Sequence, residues 1–185
     1  MNKIIRKIQY SEKVYRFDVE APLIAKSRKA GNFVIIRVDA NSERMPLTIA
    51  DADTEKGTIT LVVQKVGLSS TKLCNLNEGD EIHDVVGPLG NPTHIENFGT
   101  VLCAGGGVGV APMLPIIKAL KAAGNRVLSV IAGRSKDLVI MEDEVRASSD
   151  ELIIMTDDGS YGEKGVVTVG MEKLIQQVHL SLIHI

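Results

Sequence analysis

The sequence predicts a small antiparallel β-barrel followed by an α/β domain that is built on a parallel sheet. The first half contains segments such as "YRFDVE" and "TITLVVQ", in which apolar and polar residues alternate with the period of half-buried strands. The second half contains continuous apolar runs, "TVLCA", "RVLSVIA" and "ELIIMT", which alternate with helical stretches near 112–123 and 138–148. Such runs are typical of parallel strands that are covered on both faces. The segment "GPLGNPTH" separates the two patterns, so we place a boundary near 92–99 and expect domains at 1–95 and 96–185.

The barrel is predicted from strands that follow one another without long helices. In "YRFDVE" the apolar residues Tyr15, Phe17 and Val19 share one face. The segments "NFVIIRV", "MPLTIAD", "TITLVVQ" and "DEIHDVV" follow, and turn sequences such as "KAGN", "DTEKG" and "NEGD" separate them. Five or six short strands, with only a turn or two near "STKLCNL", predict a closed or nearly closed antiparallel barrel.

Composition excludes several classes of function. The chain has 185 residues, 44% of them hydrophobic, and a formal net charge of -2, which leaves no basic excess for nucleic acid or an anionic membrane. No apolar run approaches the roughly 20 residues of a spanning helix, so we expect a cytoplasmic protein. Cys74 and Cys103 are expected to be buried and lack metal-type spacing. The histidines are scattered and are expected to be structural or exposed: His83, His94, His179 and His184.

A glycine-rich turn is the sharpest feature of the second half. "VLCAGGGVGVAPMLPIIKAL" has four glycines within five positions, then Pro112, which suits the first turn of a helix, and Gly124, which suits its end. A strand that enters a helix through bare backbone directs N–H groups and the positive helix end outward, which suits a pyrophosphate. Tight packing alone is the alternative. A P-loop is disfavoured because no Gly-Lys-Ser/Thr follows.

The order of these segments resembles the ferredoxin–NADP⁺ reductase superfamily, in which a flavin-binding barrel precedes a pyridine-nucleotide domain. The segment "TDDGSYGEKGVVT", residues 156–168, resembles a signature of dihydroorotate dehydrogenase electron-transfer subunits. It is equally similar to the small subunits of NADH-dependent reduced ferredoxin:NADP⁺ oxidoreductase, also known as sulfide dehydrogenase subunits, and "RMPLTIAD" favours these. The resemblance extends from about residue 3 to about residue 178.

On the barrel, the resemblance implies a site for FAD. Pro46, Leu47 and Thr48 match the family's Arg-Pro-Leu-Ser/Thr motif, whereas Met45 stands in the arginine's place and Arg44 lies one residue earlier. The resemblance implies Arg44 as a ligand of the flavin pyrophosphate, Leu47 in the place of a stacking tyrosine, and Thr48 beside the reactive ring nitrogen. The alternative for Arg44 is a solvated side chain at a strand end.

The segment "KVGLSSTKL" resembles a second part of the flavin motif. Gly67 and Thr71 match a Gly-x-Gly-Thr-like turn, and Ser70 replaces a glycine. Ser70 or Thr71 is expected to cap a short helix whose free N–H groups face the FAD diphosphate. An ordinary capped turn is the alternative.

In the second domain, the resemblance implies a dinucleotide site. The pyrophosphate would lie on the glycine turn, at Gly105, Gly106, Gly107, Gly109, Ala111 and Pro112. Asp157 and Asp158 follow the third strand, where a carboxylate accepts a ribose hydroxyl and repels a 2′-phosphate, which favours NADH over NADPH. Arg134 and Lys136 follow the second strand and could hold that phosphate instead. An unremarkable acidic turn remains the alternative for "TDDGS".

The function implied by the resemblance is hydride transfer between NAD(H), or NADP, and FAD, with electrons passing onward to a partner subunit. The implied partner is a larger glutamate-synthase-like flavoprotein subunit, with a dihydroorotate dehydrogenase catalytic subunit as the alternative and ferredoxin as an electron partner. A non-catalytic dinucleotide-binding module is the alternative of another class. The barrel motifs argue against it, because such a module needs no second diphosphate site.

The end of the chain departs from the family pattern. Family members carry a cysteine cluster for a [2Fe–2S] centre, which needs about four thiolates, and this sequence offers no ligands for it. The final "LSLIHI" follows the helical stretch "TVGMEKLIQQV" without a stop signal. We therefore expect residues 180–185 to be non-native and the nucleotide domain to be truncated near His179. A natural short protein is the alternative.

Overall fold

The computed structural model describes residues 2–178 and 180–184, and its internal contacts divide the chain into two units after Thr93. His179, near which truncation was predicted, and Ile185, in the segment predicted to be non-native, lie outside the described residues. No helix among the described residues is long and apolar enough to cross a membrane.

The first unit is a nearly closed antiparallel barrel, as predicted, but it has seven strands rather than five or six. The strands are β1 (Asn2–Ser11), β2 (Val14–Glu20), β3 (Phe33–Arg37), β4 (Met45–Asp53), β5 (Thr58–Gln64), β6 (Glu81–Ile82) and β7 (Asp84–Leu89). They lie in the sheet in the order β6-β1-β2-β5-β4-β3-β7.

The barrel core follows from the alternation in the sequence. Phe17 of β2 lies opposite Leu61 of β5, and Val19 lies opposite Ile59, and all four side chains are fully buried. Tyr15 packs against this core from a half-buried position. Burial of these facing apolar side chains is the main stabilising contribution to the barrel.

Two helices pack against the barrel. The sequence predicted one of them in part and did not predict the other. Helix α1 (Pro22–Ser27) was not predicted, because six residues with a proline at the start give no helical period. It buries Ile24 and Ala25 against the barrel core. Helix α2 (Leu68–Asn75) occupies the place where a turn or two was predicted.

The second unit is built on a parallel sheet with the strands β8 (Thr100–Gly106), β9 (Arg126–Gly133), β10 (Glu151–Thr156), β11 (Glu163–Lys164) and β12 (Leu182–His184). They lie in the order β11-β10-β9-β8-β12. The helices are α3 (Val110–Ala122), α4 (Glu142–Ser148) and α5 (Val167–Gln177). The predicted continuous apolar runs form the central strands β8, β9 and β10. Strand β12, in the segment expected to be non-native, pairs in parallel with β8.

Helix α4 begins later than the sequence pattern indicated. Residues Lys136–Leu138 form a short 3₁₀ turn, and Met141 has a left-handed backbone with φ of 56° immediately before the helix. Met141 is buried, so tertiary packing holds this unfavourable conformation and sets the start of the helix.

Candidate functional site

A groove opens in the barrel where two strands separate. Strand β4 pairs with β3 along Met45–Thr48, and its pairing with β5 begins only at Ile49. The start of β4 and the end of β5 therefore diverge and leave a groove of about 420 Å³. Its lining residues are Glu43, Arg44, Met45, Pro46, Leu47, Val63, Gln64, Val66, Gly67, Leu68, Ser69 and Ser70.

This groove brings together most of the residues predicted for a flavin. Both predicted motifs contribute to its lining, with Arg44, Pro46 and Leu47 from one and Gly67 and Ser70 from the other. The two threonines of the prediction, Thr48 and Thr71, are not among its lining residues. Thr48 is half-buried and lies opposite Phe33, and the Thr71 N–H donates to the Gly67 carbonyl at 2.9 Å.

The shift of Arg44 out of the family register has a structural explanation. Met45 is the first residue of β4 and packs against the barrel core, so its position in the strand is fixed by burial. Arg44 precedes the strand and is exposed at the groove. Its guanidinium has no hydrogen-bond or ion-pair partner among the described residues, which leaves it available to an anion.

Ser70 holds the turn at the start of α2 and is committed to it. Its Oγ accepts hydrogen bonds from the N–H groups of Val66 at 3.0 Å and Gly67 at 2.9 Å, and the side chain is buried. Gly67 is the N-cap residue, and a Cβ built on it would meet nothing within 4 Å. The first N–H groups of a helix lack intrahelical acceptors, so those of Leu68 and Ser69 remain for a ligand.

The rim of the groove is unusually apolar for a surface. Val66 is 75% exposed and Leu68 is 77% exposed, and they flank Gly67. Met45, Pro46, Leu47 and Val63 add apolar surface to the walls. Apolar walls, a cation and free helical N–H groups are what a ring system joined to a diphosphate requires.

The glycine turn of the second unit joins β8 to α3 through a 3₁₀ turn at Gly107–Gly109. A Cβ on Gly105 would lie 3.2 Å from both the Gly109 carbonyl oxygen and the Met113 sulfur, so a side chain there would crowd the turn. Gly107 has φ of +52°, so conformation requires it. Gly109 is under neither constraint: its backbone is helical and a Cβ there would meet nothing within 4 Å.

The other predicted residues of this turn have separate places. A Cβ on Gly106 would approach only the Ala132 carbonyl oxygen, at 3.8 Å. Ala111 is buried, and Pro112 occupies the first turn of α3, as its missing N–H allows. The turn therefore presents bare backbone at Gly106, Gly107 and Gly109 to the outside.

The carboxyl ends of β9 and β10 bring the predicted acidic and basic residues together. The Asp157 N–H donates to the Gly133 carbonyl and the Asp158 N–H donates to the Arg134 carbonyl, both at 3.2 Å. The Asp158 carboxylate accepts the Ser160 N–H at 2.8 Å, and hydrogen bonding from Ser160 lowers the pKa of Asp158. The exposed Asp157 carboxylate has no such partner among the described residues.

Two further residues of this edge, Tyr161 and Glu142, were not predicted, and the structure groups them with the predicted Lys136. Tyr161 donates its hydroxyl to the Glu142 carboxylate, at 3.0 and 3.2 Å from its two oxygens. This contact raises the pKa of Tyr161. The Lys136 ammonium lies 5.2 Å from the centre of the Tyr161 ring. The tyrosine in "TDDGSYG" was the available signal, but its partner Glu142 lies 19 positions away in sequence.

The cysteines are buried and lie in different units. Burial raises the pKa of the Cys103 thiol to about 12 and also raises that of Cys74. Over residues 2–178 and 180–184, no group of three or more histidine, cysteine or acidic side chains is arranged to hold a metal ion.

Comparison with known proteins identifies the class to which this fold and groove belong. The model of the oxidoreductase FAD-binding domain family matches residues 2–94, and the chain belongs to that family. The predicted resemblance to ferredoxin–NADP⁺ reductases, and with it the oxidoreductase class, is confirmed.

Individual relatives within this class are electron transfer subunits by name. A dihydroorotate dehydrogenase B (NAD(+)) electron transfer subunit homolog from Thermotoga maritima is 49% identical over 177 residues, which cover 96% of this chain and 62% of that protein. The electron transfer subunit itself from Streptococcus pneumoniae R6 is 32% identical, over 95% of this chain and 69% of that protein.

A solved structure of the NADH-dependent reduced ferredoxin-NADP oxidoreductase, described for flavin-based electron bifurcation, superimposes with a TM-score of 0.91 at 45% identity. The match covers 96% of this chain and 64% of that one. The cytochrome P450 reductase GcoB from Amycolatopsis, at 19% identity and a TM-score of 0.78, shares the fold. The chain thus spans somewhat less than two thirds of the length of the Thermotoga relative and of the bifurcating enzyme's chain.

Proposed function

We propose that this chain is the electron-transfer part of a flavoprotein: its barrel holds FAD, its glycine turn binds NAD(H), and a hydride passes between them. The observation that carries the proposal is the groove, where apolar walls, the exposed Arg44 and the N-terminus of α2 converge. FAD supplies a ring that accepts a hydride and releases electrons singly.

The residues of the groove fit the two chemical halves of FAD. The Arg44 guanidinium and the N–H groups of Leu68 and Ser69 would bind the diphosphate, since cations and helix N-termini both stabilise anions. Leu47 and Pro46 would form the apolar wall beside the ring. The open space at Gly67 allows the ligand to approach the backbone, and Ser70 keeps that turn in place.

The roles of Thr48 and Thr71 are proposed in a narrower form. Thr48 follows Leu47 in β4, and its hydroxyl would orient the ring by hydrogen bonding, as the family motif implies. Thr71 begins the second turn of α2, so it would support the helix start rather than touch the diphosphate.

The second unit would bind the dinucleotide at the carboxyl edge of its sheet. The backbone of Gly106, Gly107 and Gly109 would accept the pyrophosphate, while Asp157 would accept a ribose hydroxyl. NADH would be preferred over NADPH, because a carboxylate repels a 2′-phosphate.

The partner would be another flavoprotein subunit. Relatives of this chain are electron transfer subunits by name, and one solved relative belongs to a bifurcating oxidoreductase. We propose a larger glutamate-synthase-like subunit as the partner, with a dihydroorotate dehydrogenase catalytic subunit as the alternative that the curated relatives favour. The [2Fe–2S] centre of the family and the cytoplasmic location remain predictions.

Two substitutions test the two sites separately. Gly67→Val should reduce FAD binding at least tenfold, because the branched side chain would enter the groove from a backbone position that any residue adopts. Gly109→Val should leave FAD binding intact and abolish reduction of the flavin by NADH. Thermal unfolding of Gly109→Val should match the unsubstituted chain, and Gly67→Val should lower the midpoint by only about 2–4 °C, because valine is a poorer N-cap than glycine; neither Cβ meets protein atoms within 4 Å. Unchanged FAD affinity in Gly67→Val would refute the flavin site, and unchanged reduction in Gly109→Val would refute the nucleotide site.

A further inference from the structure

The edge proposed to bind the adenosine ribose includes Asp157 and Asp158 on one side and Arg134 and Lys136 on the other, and intramolecular contacts hold one residue of each pair. Asp158 is bound to the Ser160 N–H, whereas Asp157 is exposed and without a hydrogen-bond partner among the described residues. Lys136 is placed over the Tyr161 ring, whereas the Arg134 side chain has no ion pair or hydrogen bond in the described part of the chain. No intramolecular hydrogen bond or ion pair among the described residues therefore holds the charged groups of Asp157 and Arg134.

Tyr161 is fixed at both ends. The buried Thr156 hydroxyl accepts the Tyr161 N–H at 3.1 Å and donates to the Tyr161 carbonyl at 2.6 Å. The phenol hydroxyl donates to Glu142, which is itself bound by Arg146 at 2.8 Å. A ring held by its backbone and its hydroxyl keeps one orientation, so it forms a rigid surface at this edge.

A backbone hydrogen bond of Lys136 places its side chain beside the Tyr161 ring. Its N–H donates to the Ser160 hydroxyl at 2.9 Å, which joins the loop after β9 to the loop after β10. The ammonium then lies 5.2 Å from the ring centre, within the range of a cation–π contact. The carboxylate on the phenol hydroxyl increases the electron density of the ring and strengthens its attraction for a cation.

We propose that Tyr161 is a specificity-determining residue, because it holds Lys136 over its ring and so withholds a cation from a 2′-phosphate. This inference rests on the proposed dinucleotide site of the second unit. A free lysine ammonium is a strong phosphate ligand, whereas one engaged by an aromatic ring must first leave it. Tyr161 and Asp157 thus act in the same direction: Asp157 binds the free 2′-hydroxyl, and Tyr161 lowers the affinity for its phosphorylated form.

The test measures binding and needs no flavin. Isothermal titration calorimetry of the whole chain would give the affinities of ADP-ribose and of 2′-phospho-ADP-ribose. Tyr161→Leu removes the ring and should tighten binding of the 2′-phosphorylated probe by about 2- to 5-fold, the strength of an exposed cation–π contact, with ADP-ribose unchanged within about 1.5-fold. Lys136→Met in the Tyr161→Leu background should reverse the gain. Tyr161→Phe, which keeps the ring, is the matched control and should retain most of the discrimination.

Three results would overturn the proposal. The first is a Tyr161→Leu variant whose affinities for the two probes change by the same factor or do not change at all. Lys136→Met in the otherwise unsubstituted chain, at an exposed position that should not disturb folding, could weaken the 2′-phosphorylated probe several-fold, which would show that Lys136 already reaches the phosphate. Failure of the unsubstituted chain to bind either probe would refute the dinucleotide site as well, whereas ADP-ribose binding with any of the other results would refute the role of Tyr161 alone.

Discussion

Leu68 provides a direct test of the apolar rim of the groove. Its side chain is 77% exposed and adjoins the other apolar residues that line the groove, and a contiguous exposed apolar patch is typical of a ligand-binding groove. We expect Leu68→Ala to weaken FAD binding without destabilising the chain, because a substitution at an exposed site changes stability by about 0.5 kcal/mol or less.

The size of the effect follows from the area that a ligand would cover. Leucine to alanine removes about three carbon groups, each worth about 0.8 kcal/mol when fully buried. The ligand would contact the side chain from the groove only, so about half of that, about 1 kcal/mol, should be lost. This loss corresponds to an increase of about fivefold in the Kd for FAD.

The assay is titration of the apoprotein against FAD, followed by the change in flavin fluorescence on binding. Leu23→Ala is the matched control, since Leu23 is 83% exposed on α1 and does not line the groove. It should leave the Kd unchanged. A Leu68→Ala variant with the affinity of the unsubstituted chain, or a Leu23→Ala variant with an equal loss, would refute the assignment of the rim.

Three further predictions concern stability and reactivity. Gly170→Ala should lower the free energy of unfolding by about 1–3 kcal/mol in a urea titration, because its Cβ would lie 2.7 Å from a buried valine of β9; an unchanged midpoint would contradict this packing. The Lys121 ammonium and a backbone N–H hold the pKa of Asp150 below its ordinary value, so its stabilising contribution is present above about pH 4 and is lost as the pH falls through the lowered pKa. The free energy of unfolding of Asp150→Asn should therefore fall less steeply below about pH 4 than that of the unsubstituted chain. An equally steep fall in both would count against the contact. Cys74 and Cys103 should resist iodoacetamide at pH 8 in the native chain and react after unfolding, as mass spectrometry would show; rapid native labelling would contradict their burial.

Local patterns predicted the fold well where the burial of a strand, on one face or on both, gives its own sequence a regular pattern of apolar residues. Alternation identified β2 and β5 because their apolar residues meet across the barrel core. The continuous runs identified β8, β9 and β10 because the parallel sheet of the second unit buries them. Helix α1 could not be predicted, because only its contacts with the barrel distinguish its six residues from a loop.

The positions of the candidate sites along the chain could be predicted from the sequence, but the contacts within them could not. The glycine turn and the two barrel motifs could be located from residue types, since bare backbone and capping have local signatures. Sequence could not show that the Ser70 hydroxyl is already hydrogen-bonded within its own turn, or that Gly106 and Gly109, unlike Gly107, adopt ordinary backbone conformations with room for a Cβ. Nor could it show the contact between Tyr161 and Glu142, because residues so far apart meet only after the sheet has formed.

The most direct test of the account is an anaerobic titration of the FAD-loaded chain with NADH, followed by the flavin absorbance at about 450 nm. The account predicts about one FAD bound per chain, and loss of this absorbance on addition of about one equivalent of NADH, with NADPH less effective. A chain that retains no FAD, or a bound flavin that NADH leaves oxidised, would contradict it.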